Sequence, residues 1–382
     1  MMPAKPVYLD YNATTPLDPE VIEAMRPYLE EHFGNPSSGH WYGAQPRRAV
    51  AEARARVAEL LHASADEVVF TSGGTESNNY ALKGAALAAR PRGRHIVTSS
   101  IEHPAVTEVC RWLEAQGFEI TWLPVDEFGR VSAADVAAAI RPETILVSIM
   151  HANNETGTLQ PIAGIARAVR GRGVLLHTDA AQSAGKIPVD VEALGVDLLS
   201  LAGHKLYAPK GVGALYVRRG LALKQFVHGA GQESGQRAGT ENVLEIVGLG
   251  KACEIAHRDL ARNAAHMREM RDRLEAGLRA RVSGMRVNGH PVERLPNTLS
   301  AGFRGVDAQT LLGALEKSVA ASAGAACHSG GVAISHVLEA MRVPLEFARG
   351  TLRFSTGRMN TGEQIARAAD AISCAIADSP KG

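Results

Sequence analysis

The sequence contains no run of about 18 apolar residues, so we expect no segment that spans a membrane. Its first residues, 1–12, lack the apolar core of a signal peptide. No long basic run is present, and the net charge of +1 argues against nucleic acid as a direct partner. These absences favour a cytoplasmic location.

Cysteine is scarce, and the chain has only four: Cys110, Cys253, Cys327 and Cys374. They lie far apart, with no C-x-x-C pair and no disulfide framework, which indicates a reduced protein. All but Cys327 fall in helical patterns, where burial is the expectation. A metal set of Cys327, His328 and His336 lacks a recognised spacing, so we predict no metal site.

The composition that is present suits a globular protein of two domains. The apolar fraction of 45% allows a sizeable core, and 38 Gly with 18 Pro is near the globular average. Roughly 150 residues make a domain, and the character of the chain changes after residue 240. We predict a large domain of residues 16–256 and a small domain made of 1–15 with 257–382.

Short apolar runs alternate with helical patterns from about residue 65 onwards. The strand-like runs are 68–71, 96–98, 120–123, 145–149, 174–177, 198–200 and 214–217, and the helical patterns are 75–90, 104–116, 132–140 and 161–171. Continuous apolar strands are buried on both faces, which is typical of an α/β fold with a mostly parallel sheet. Farther on we expect a long helix or helix pair at 242–281, short strands at 297–300 and 351–355, and a closing helix at 362–377.

Polar clusters follow several strands, where open α/β sheets bind ligands. At the start of one helix, Gly74 and Thr75 offer N–H groups and a hydroxyl to a phosphate, although an ordinary N-cap is the alternative. His103 precedes Pro104 at a second strand–helix junction. It is a candidate for proton transfer or for stacking, and a capping or surface His is the alternative.

Three further strands also lead into polar clusters. Asn154 lies in an amide-rich turn, 151–157, that needs polar partners either from a ligand ring or from the turn itself. Asp179 requires a cationic or protonated partner, such as a cofactor ring nitrogen, unless it is an N-cap. Lys205, 26 residues later and among small residues, suits a Schiff base with pyridoxal phosphate, the alternative being an exposed lysine.

The last two clusters lie in the C-terminal part of the chain. Cys327 sits in a Gly/Ala/Ser-rich segment beside His328, which favours a reactive thiol over a structural one. In the strand pattern 351–355, Arg353 points away from the face shared by its two apolar neighbours. It can grip a carboxylate with its planar fork, and a surface arginine is the alternative.

In chain order, these motifs resemble the pyridoxal-phosphate cysteine desulfurases of the class-V aminotransferase superfamily, the NifS/IscS-like enzymes. The matching segments are 10–16, 34–38, 71–77, 102–103, 153–157, 179–182, 203–205, 237–240, Cys327 and 353–355. They cover nearly the whole chain. The resemblance implies the type I fold of pyridoxal-phosphate transferases, with a mostly parallel mixed sheet between helices and a smaller α+β domain.

The resemblance also implies a role for each matching residue. Catalytic roles fall to Lys205, which would carry the cofactor and shuttle protons, to His103, and to Cys327, which would take up sulfur as a persulfide. The residues implied to hold the cofactor are Gly74, Thr75, Asn154, Asp179, Gln182, His204, Lys205 and Thr240. Arg353, with Asn154, would bind the substrate carboxylate.

Within that set, each part of the cofactor has its own partners. Asp179 would pair with the pyridine nitrogen, Gln182 with the ring 3-hydroxyl, and His103 would stack on the ring. The phosphate would be held by Gly74, Thr75 and His204. Thr240 would reach the phosphate of the neighbouring subunit, so a homodimer is implied.

The implied reaction converts L-cysteine to L-alanine and leaves the sulfur on Cys327 for an acceptor protein. The chain is similar to the desulfurases that serve DNA phosphorothioation, and iron–sulfur assembly or tRNA thiolation are the other routes for the sulfur. The Cys-His-Ser motif at 327–329 also resembles selenocysteine lyases. A non-catalytic relay protein is disfavoured, because Lys205, Asp179, His103 and Cys327 are all present.

The chain departs from the family pattern in two places. Ala202 stands where many relatives have a Ser that bonds the phosphate, so one hydrogen-bond donor is missing. The chain also ends soon after the closing helix, without the tail that helps housekeeping members dock an iron–sulfur scaffold. That difference puts a scaffold partner in question.

Overall fold

A computed structural model describes residues 5–323 and 334–379. The strands in these ranges are β1 (Val7–Tyr8), β2 (Val68–Thr71), β3 (His95–Ser99), β4 (Glu119–Leu123), β5 (Thr144–Ser148), β6 (Leu175–Asp179), β7 (Leu198–Ala202), β8 (Gly213–Val217), β9 (Met285–Asn288), β10 (Thr298–Phe303), β11 (Val319–Ala320), β12 (Ser322–Ala323) and β13 (Thr351–Ser355). The helices are α1 (Pro19–Glu30), α2 (Trp41–Leu61), α3 (Gly74–Ala89), α4 (Pro104–Ala115), α5 (Ala133–Ala139), α6 (Ile162–Val169), α7 (Val191–Leu194), α8 (Val243–Arg281), α9 (Ala308–Leu315), α10 (His336–Ala340), α11 (Leu345–Ala348) and α12 (Gly362–Asp378).

A seven-stranded sheet forms the centre of the fold, in the order β2-β8-β7-β6-β5-β3-β4. Strand β8 is antiparallel to both neighbours, and the other pairs are parallel. The predicted mostly parallel α/β sheet is therefore confirmed. The strands and helices predicted between residues 68 and 217 all appear, with ends displaced by at most two residues.

Neighbouring residues of the sheet pack into different hydrophobic cores. On β7, Leu199 joins the core that also holds α2 and the start of α8, whereas Leu198 joins the core under α3 and α4. Val97 and Ile96 divide in the same way on β3. Burial on both faces explains why these strands are apolar throughout rather than alternating.

The C-terminal part adds an antiparallel sheet, β12-β13-β10-β9, and a parallel pair of β1 with β11. These elements, with α9 and α12, surround a separate core that includes Val7, Leu9 and Leu274. The region predicted as a helix or helix pair is one helix, α8, of 39 residues. Because α8 runs without interruption through residue 257, the predicted domain boundary falls inside a helix.

The cysteines differ in burial. Cys110 and Cys253 are buried as expected, but Cys374 on α12 is exposed, so the expectation for that residue was wrong. The buried stripe of α12 consists of Ile365, Ala368 and Ile372 with their neighbours, and residue 374 lies off that stripe.

The described ranges hold neither a membrane-spanning helix nor a cluster of metal ligands. None of their helices combines the length and apolar character that crossing a membrane requires. No group of three or more His, Cys, Asp or Glu side chains among these residues is arranged to hold a metal ion.

Candidate active site

A cavity of about 390 Å³ opens at the carboxyl ends of the central strands, where ligands bind in open α/β sheets. Its walls come from the segments after β3, β5, β6 and β7, from the start of α3, and from β13. The structure brings together most of the predicted site residues around it: Gly74, Thr75, His103, Asn154, Asp179, Gln182, His204, Lys205 and Arg353.

Lys205 follows β7 in a short helical turn, and its amine reaches the N-terminal segment of the chain. Nζ donates to the carbonyl oxygens of Asn12 at 2.5 Å and Ala13 at 2.7 Å. Burial, reinforced by the positive charge of Arg353, lowers the pKa of Lys205 to about 8. The amine is therefore available as a free base far more readily than that of an exposed lysine.

Asp179 is the last residue of β6, and its carboxylate is held from two sides. Asn78 Nδ2 donates to Oδ2 at 2.6 Å, and the backbone N–H of Ala181 donates to Oδ1 at 2.9 Å. The other side-chain atom of this amide, Asn78 Oδ1, is buried and has no hydrogen-bond partner within the described residues. Asn78 thus fixes the carboxylate, a role that its place in the glycine-rich motif did not reveal.

The start of α3 provides an anion-binding end of the cavity. No side chain caps this helix, so the N–H groups around Gly74 and Thr75 remain available. A Cβ at Gly74 would lie 3.1 Å from Ala202 Cβ, so small residues at both positions allow the chain segments to approach closely. His204 adds a ring that is neutral at physiological pH, since burial and Lys205 lower its pKa to about 4.

His103 is at once a helix cap and a cavity residue. Its Nδ1 accepts a hydrogen bond from Ala105 N at 3.1 Å, at the start of α4. Burial lowers the pKa of His103, although the nearby carboxylate of Asp179 opposes that effect. A neutral ring that accepts at Nδ1 must carry its hydrogen on Nε2. The resting ring is therefore a donor at Nε2.

The residue before it, Glu102, is fully buried beneath this segment. Its carboxyl group hydrogen-bonds Ser99 Oγ at 2.5 Å and Met150 N at 3.0 Å, which joins the ends of β3 and β5. Burial raises the pKa of Glu102 to about 8. It supports the segment that carries His103 and does not line the cavity.

Arg353 lies in the middle of β13, on the face opposite the buried side chains of Leu352 and Phe354. One terminal nitrogen, Nη2, donates to Asp10 Oδ1 at 2.8 Å and to Ser322 Oγ at 3.1 Å, and the other, Nη1, donates to Asn154 O at 3.1 Å. Its Nε is buried and lacks a partner in the described part of the chain. The guanidinium is thus held in place with hydrogen-bonding capacity left over for an anion.

Among the predicted site residues that the structure describes, Thr240 does not line the cavity. Thr240 is exposed on the loop before α8, and Arg237 in the same loop forms an ion pair with Glu76 of α3 at 2.9 Å. Cys327 lies outside the described residues. Sequence reasoning also missed roles for Asn78, Asp10 and Lys186. Asp10 lies in the matching segment 10–16 and Asn78 directly follows the segment 71–77, but neither motif shows which of its residues support the site.

The donors and acceptors around the cavity fit pyridoxal phosphate. A carboxylate, Asp179, is available for a protonated ring nitrogen, and the uncapped start of α3 is available for a phosphate. Lys205 supplies an amine at the same cavity, and Gln182 supplies an amide for a ring oxygen. The buried, unpartnered Asn78 Oδ1 marks a polar wall that a bound group would cover.

Comparison with known proteins gives a consistent result. The family model "Aminotransferase class-V" matches residues 7–368. A curated cysteine desulfurase IscS of Dictyoglomus turgidum is 49% identical over 360 residues, which cover 94% of this chain and 91% of that protein. The solved structure of a NifS-like protein has a TM-score of 0.91 at 39% identity, covering 97% of this chain and 98% of its own.

Two other solved structures bear on substrate and pathway. SspA in complex with cysteine has a TM-score of 0.83 at 37% identity and covers 94% of this chain and 100% of its own. DndA from Streptomyces lividans has a TM-score of 0.78 at 41% identity and covers 91% of this chain and 99% of its own.

Proposed function

The chain belongs to the class-V aminotransferase family, whose cofactor is pyridoxal phosphate, and we propose that it is a cysteine desulfurase. The observation that carries this proposal is the meeting of Lys205, Asp179 and Arg353 around one cavity. An amine, a carboxylate and a carboxylate-binding cation are the groups that an amino-acid substrate and this cofactor require together. Curated desulfurases at 49% identity, matched over nearly their whole length, support the same activity.

Bound pyridoxal phosphate supplies an electron sink that weakens bonds at the carbon atoms of the amino acid. The carboxylate of Asp179, fixed by Asn78, holds a proton at the ring nitrogen in this proposal. Gln182 donates to the ring oxygen. Gly74, Thr75 and the neutral His204 ring bind the phosphate.

Proton transfer falls to Lys205 and His103. The pKa of Lys205, lowered to about 8 by burial, lets its amine accept and return a proton near neutral pH. His103 presents Nε2–H, because its Nδ1 is engaged at the start of α4. It can therefore hydrogen-bond through Nε2 to the group that gains or loses the proton, while it stacks on the ring.

The substrate carboxylate binds to Arg353, with Asn154 beside it. Asp10 holds one terminal nitrogen of the guanidinium, so Arg353 is oriented before the substrate arrives. An oriented planar fork binds a carboxylate through two parallel hydrogen bonds. This contact selects an α-amino acid and leaves its side chain to face the rest of the cavity.

The thiol of Cys327 accepts the sulfur. The Cβ–S bond of cysteine breaks, a bond forms between that sulfur and Cys327 Sγ, and a proton ends on Cβ to give alanine. L-Cysteine and one thiol thus become L-alanine and one persulfide. The two sulfur atoms together lose the two electrons that the carbon gains, so no external oxidant is needed.

A homodimer and an acceptor protein complete the proposal. Thr240 is exposed rather than turned into its own cavity, which suits a contact with the phosphate site of a partner subunit. An exposed aromatic cluster of Phe33, Trp41 and Tyr42, with Trp41 67% exposed, is a further surface that a second copy would cover. In this proposal the acceptor belongs to phosphorothioation or iron–sulfur chemistry in the cytoplasm; DndA and IscS proteins are both among the similar proteins.

The test is product analysis of the cofactor-loaded enzyme. We expect L-cysteine to yield L-alanine, with selenocysteine compared as a second substrate. Borohydride should fix the cofactor covalently to the wild type but not to Lys205→Ala. Covalent fixation in that variant would refute the assignment of Lys205, and faster turnover of selenocysteine alone would favour a selenocysteine lyase.

A further inference from the structure

Lys186 is a buried lysine that the proposed reaction does not use. Its side chain lies in the turn after β6, and the residue is only 4% exposed. Lysine is almost never buried to this degree unless a carboxylate pairs with it. Yet Lys186 forms no ion pair with any of the residues that the structure describes.

Two side-chain amides are the hydrogen-bond partners of Lys186. Nζ donates to Gln182 Oε1 at 3.0 Å and to Asn12 Oδ1 at 3.1 Å. Burial lowers the pKa of Lys186 well below its usual range, and the positive charges of Lys205 and Arg353 act in the same direction. Both acceptors are uncharged amide oxygens, so neither of them offsets a positive charge on this amine.

The bond to Gln182 is one of two hydrogen bonds that set which way its amide faces. Because a lysine N–H must meet an oxygen, Oε1 points to Lys186 and Nε2 points the other way. Nε2 donates one hydrogen to Asn12 O at 3.0 Å, which leaves its second hydrogen for the cavity. Gln182 is therefore presented to the cofactor as a donor and not as an acceptor.

The bond to Asn12 has a similar consequence. Asn12 Oδ1 also accepts from Asn297 Nδ2 at 2.9 Å, and Asn12 Nδ2 donates to Thr298 Oγ1 at 2.8 Å and to Asn154 O at 3.2 Å. All four hydrogen-bonding positions of this amide are thus occupied. The Asn12 side chain therefore has a fixed orientation. The backbone carbonyl oxygen of Asn12 accepts hydrogen bonds from both Gln182 Nε2 and Lys205 Nζ.

We propose that Lys186 is a positioning residue that fixes the amide of Gln182 as a hydrogen-bond donor to the ring oxygen of pyridoxal phosphate. The inference rests on the proposed function, since it assigns Gln182 to that oxygen. A hydrogen-bond donor at this ring oxygen would stabilise negative charge on the oxygen. The oxygen would then bind less tightly the proton that lies between it and the nitrogen of Lys205. Losing the donor should therefore raise the pH at which the visible absorbance of the bound cofactor titrates.

Other groups can influence the same titration, and they must be separated from Lys186. The charged or titratable side chains around the cofactor cavity are Asp179, His103, His204, Lys205 and Arg353, with Asp10 beside Arg353. A smaller cavity of about 10 Å³ behind Lys186 is lined by Tyr11, Tyr207 and Arg358 but by no carboxylate among the described residues. A direct charge effect of Lys186 is thus the alternative to its action through Gln182.

The experiment compares absorbance titrations of cofactor-loaded Lys186→Met, Gln182→Met and the double variant, without substrate. We expect each single change to raise the midpoint by about one pH unit, and the double variant to show no further rise. Lys251→Met, which removes a lysine bound to Glu254 on α8, should leave the midpoint unchanged. Lys186→Gln, which keeps one donor, should lie between wild type and Lys186→Met.

Three results would overturn the proposal. They are an unchanged midpoint in Lys186→Met, a midpoint that moves to lower pH, and additive shifts in the double variant, which would show a direct charge effect. If Lys186→Met does not bind the cofactor, Lys186→Gln is titrated instead, once in the wild-type protein and once in Gln182→Met. The proposal then requires that Lys186→Gln raise the midpoint in the wild-type protein but not in Gln182→Met. Because no substrate is present, these readings do not depend on whether the enzyme forms alanine, which tests the proposed function separately.

Discussion

Lys205 shares its cavity with Arg353 and is largely buried, so its amine lies near a positive charge and meets little water. Both effects favour the free base, and they are opposed only in part by Asp10 and Asp179. The amine is the nucleophile that must attack the cofactor aldehyde. Its reactivity should therefore depend on pH in a range well below that of an ordinary lysine.

We predict that the apoprotein binds pyridoxal phosphate covalently at a rate that rises with pH and is half-maximal near pH 8. Below the lowered pKa the amine is protonated and cannot attack, and above it the free base predominates. Stopped-flow absorbance measures this rate. In Arg353→Met the midpoint should move to higher pH, because a positive charge that lowers the pKa is gone. A wild-type midpoint close to pH 10 would contradict the prediction.

A second prediction concerns the substrate carboxylate. Arg353→Lys keeps a positive charge but loses the planar fork. Since charge-assisted hydrogen bonds contribute about 1.5–3 kcal/mol, the KM for cysteine should rise roughly tenfold or more. Cofactor content, measured by absorbance, should stay at the wild-type level. Unchanged steady-state kinetics would exclude Arg353 from this role.

At the residue scale, motifs indicated the side chains that face the cavity but not those that support them. Asp179 and Lys205 stand directly after buried strands, and the strand pattern alone places them at one edge of the sheet. Asn78, Asp10 and Lys186 act through contacts between distant segments, such as Asp10 with Arg353. No local pattern encodes such contacts, because they depend on how elements that are distant in sequence pack against one another.

At the scale of elements, the start of α4 has both a structural and a chemical role. His103 caps the helix through Nδ1, and Pro104 occupies the first turn, where its missing N–H costs nothing. The same ring faces the cavity. The sequence left capping and chemistry open as alternatives for His103. The structure allows both at once, because the ring caps α4 through Nδ1 and also lines the cavity.

Substitutions at His103 should separate these two roles. His103→Ala loses the cap as well as the ring, and should lower the free energy of unfolding by about 1 kcal/mol. His103→Asn keeps a side-chain acceptor for the cap, so its stability should stay near that of the wild type while alanine formation falls. Urea unfolding and product analysis of both variants provide the measurements. Equal activity of wild type and His103→Asn would contradict a chemical role.

Elements with a strong hydrophobic pattern were predicted well, and those that depend on tertiary packing were not. Strand β13 begins and ends where the sequence pattern placed it, since Leu352 and Phe354 alternate with Arg353. The sequence did not show whether residues 242–281 form one helix or two. In the structure, the first half of α8 packs on the core beside the central sheet, and its second half packs on the core of the C-terminal part. Its apolar pattern therefore shifts along the helix, and sequence alone did not distinguish one helix from two.

At the scale of the whole molecule, the predicted homodimer would make each active site a product of two chains. Thr240 tests this directly, because it is exposed and does not line the cavity of its own chain. Thr240→Val should weaken cofactor binding by about tenfold, as expected for one lost hydrogen bond to a charged group. Sedimentation should show that the cofactor-loaded, active species is a dimer.

Mixed dimers show which subunit supplies the threonine. If Thr240 acts on the partner's site, a dimer of one Thr240→Val subunit and one Lys205→Ala subunit contains one complete site. That dimer should bind the cofactor at one site with wild-type affinity, measured by titration of its absorbance. Binding as weak as in the Thr240→Val homodimer would indicate that Thr240 acts within its own chain.

The central claim, that sulfur passes from cysteine to the thiol of Cys327, is tested most directly by Cys327→Ser. We measure alanine formation together with the mass of the intact protein after incubation with L-cysteine. The wild type should form alanine and gain sulfur at Cys327. The variant should still bind the cofactor and change its absorbance on adding cysteine, yet release almost no alanine. Near-normal alanine formation by Cys327→Ser, or a persulfide on another of its cysteines, would contradict the account.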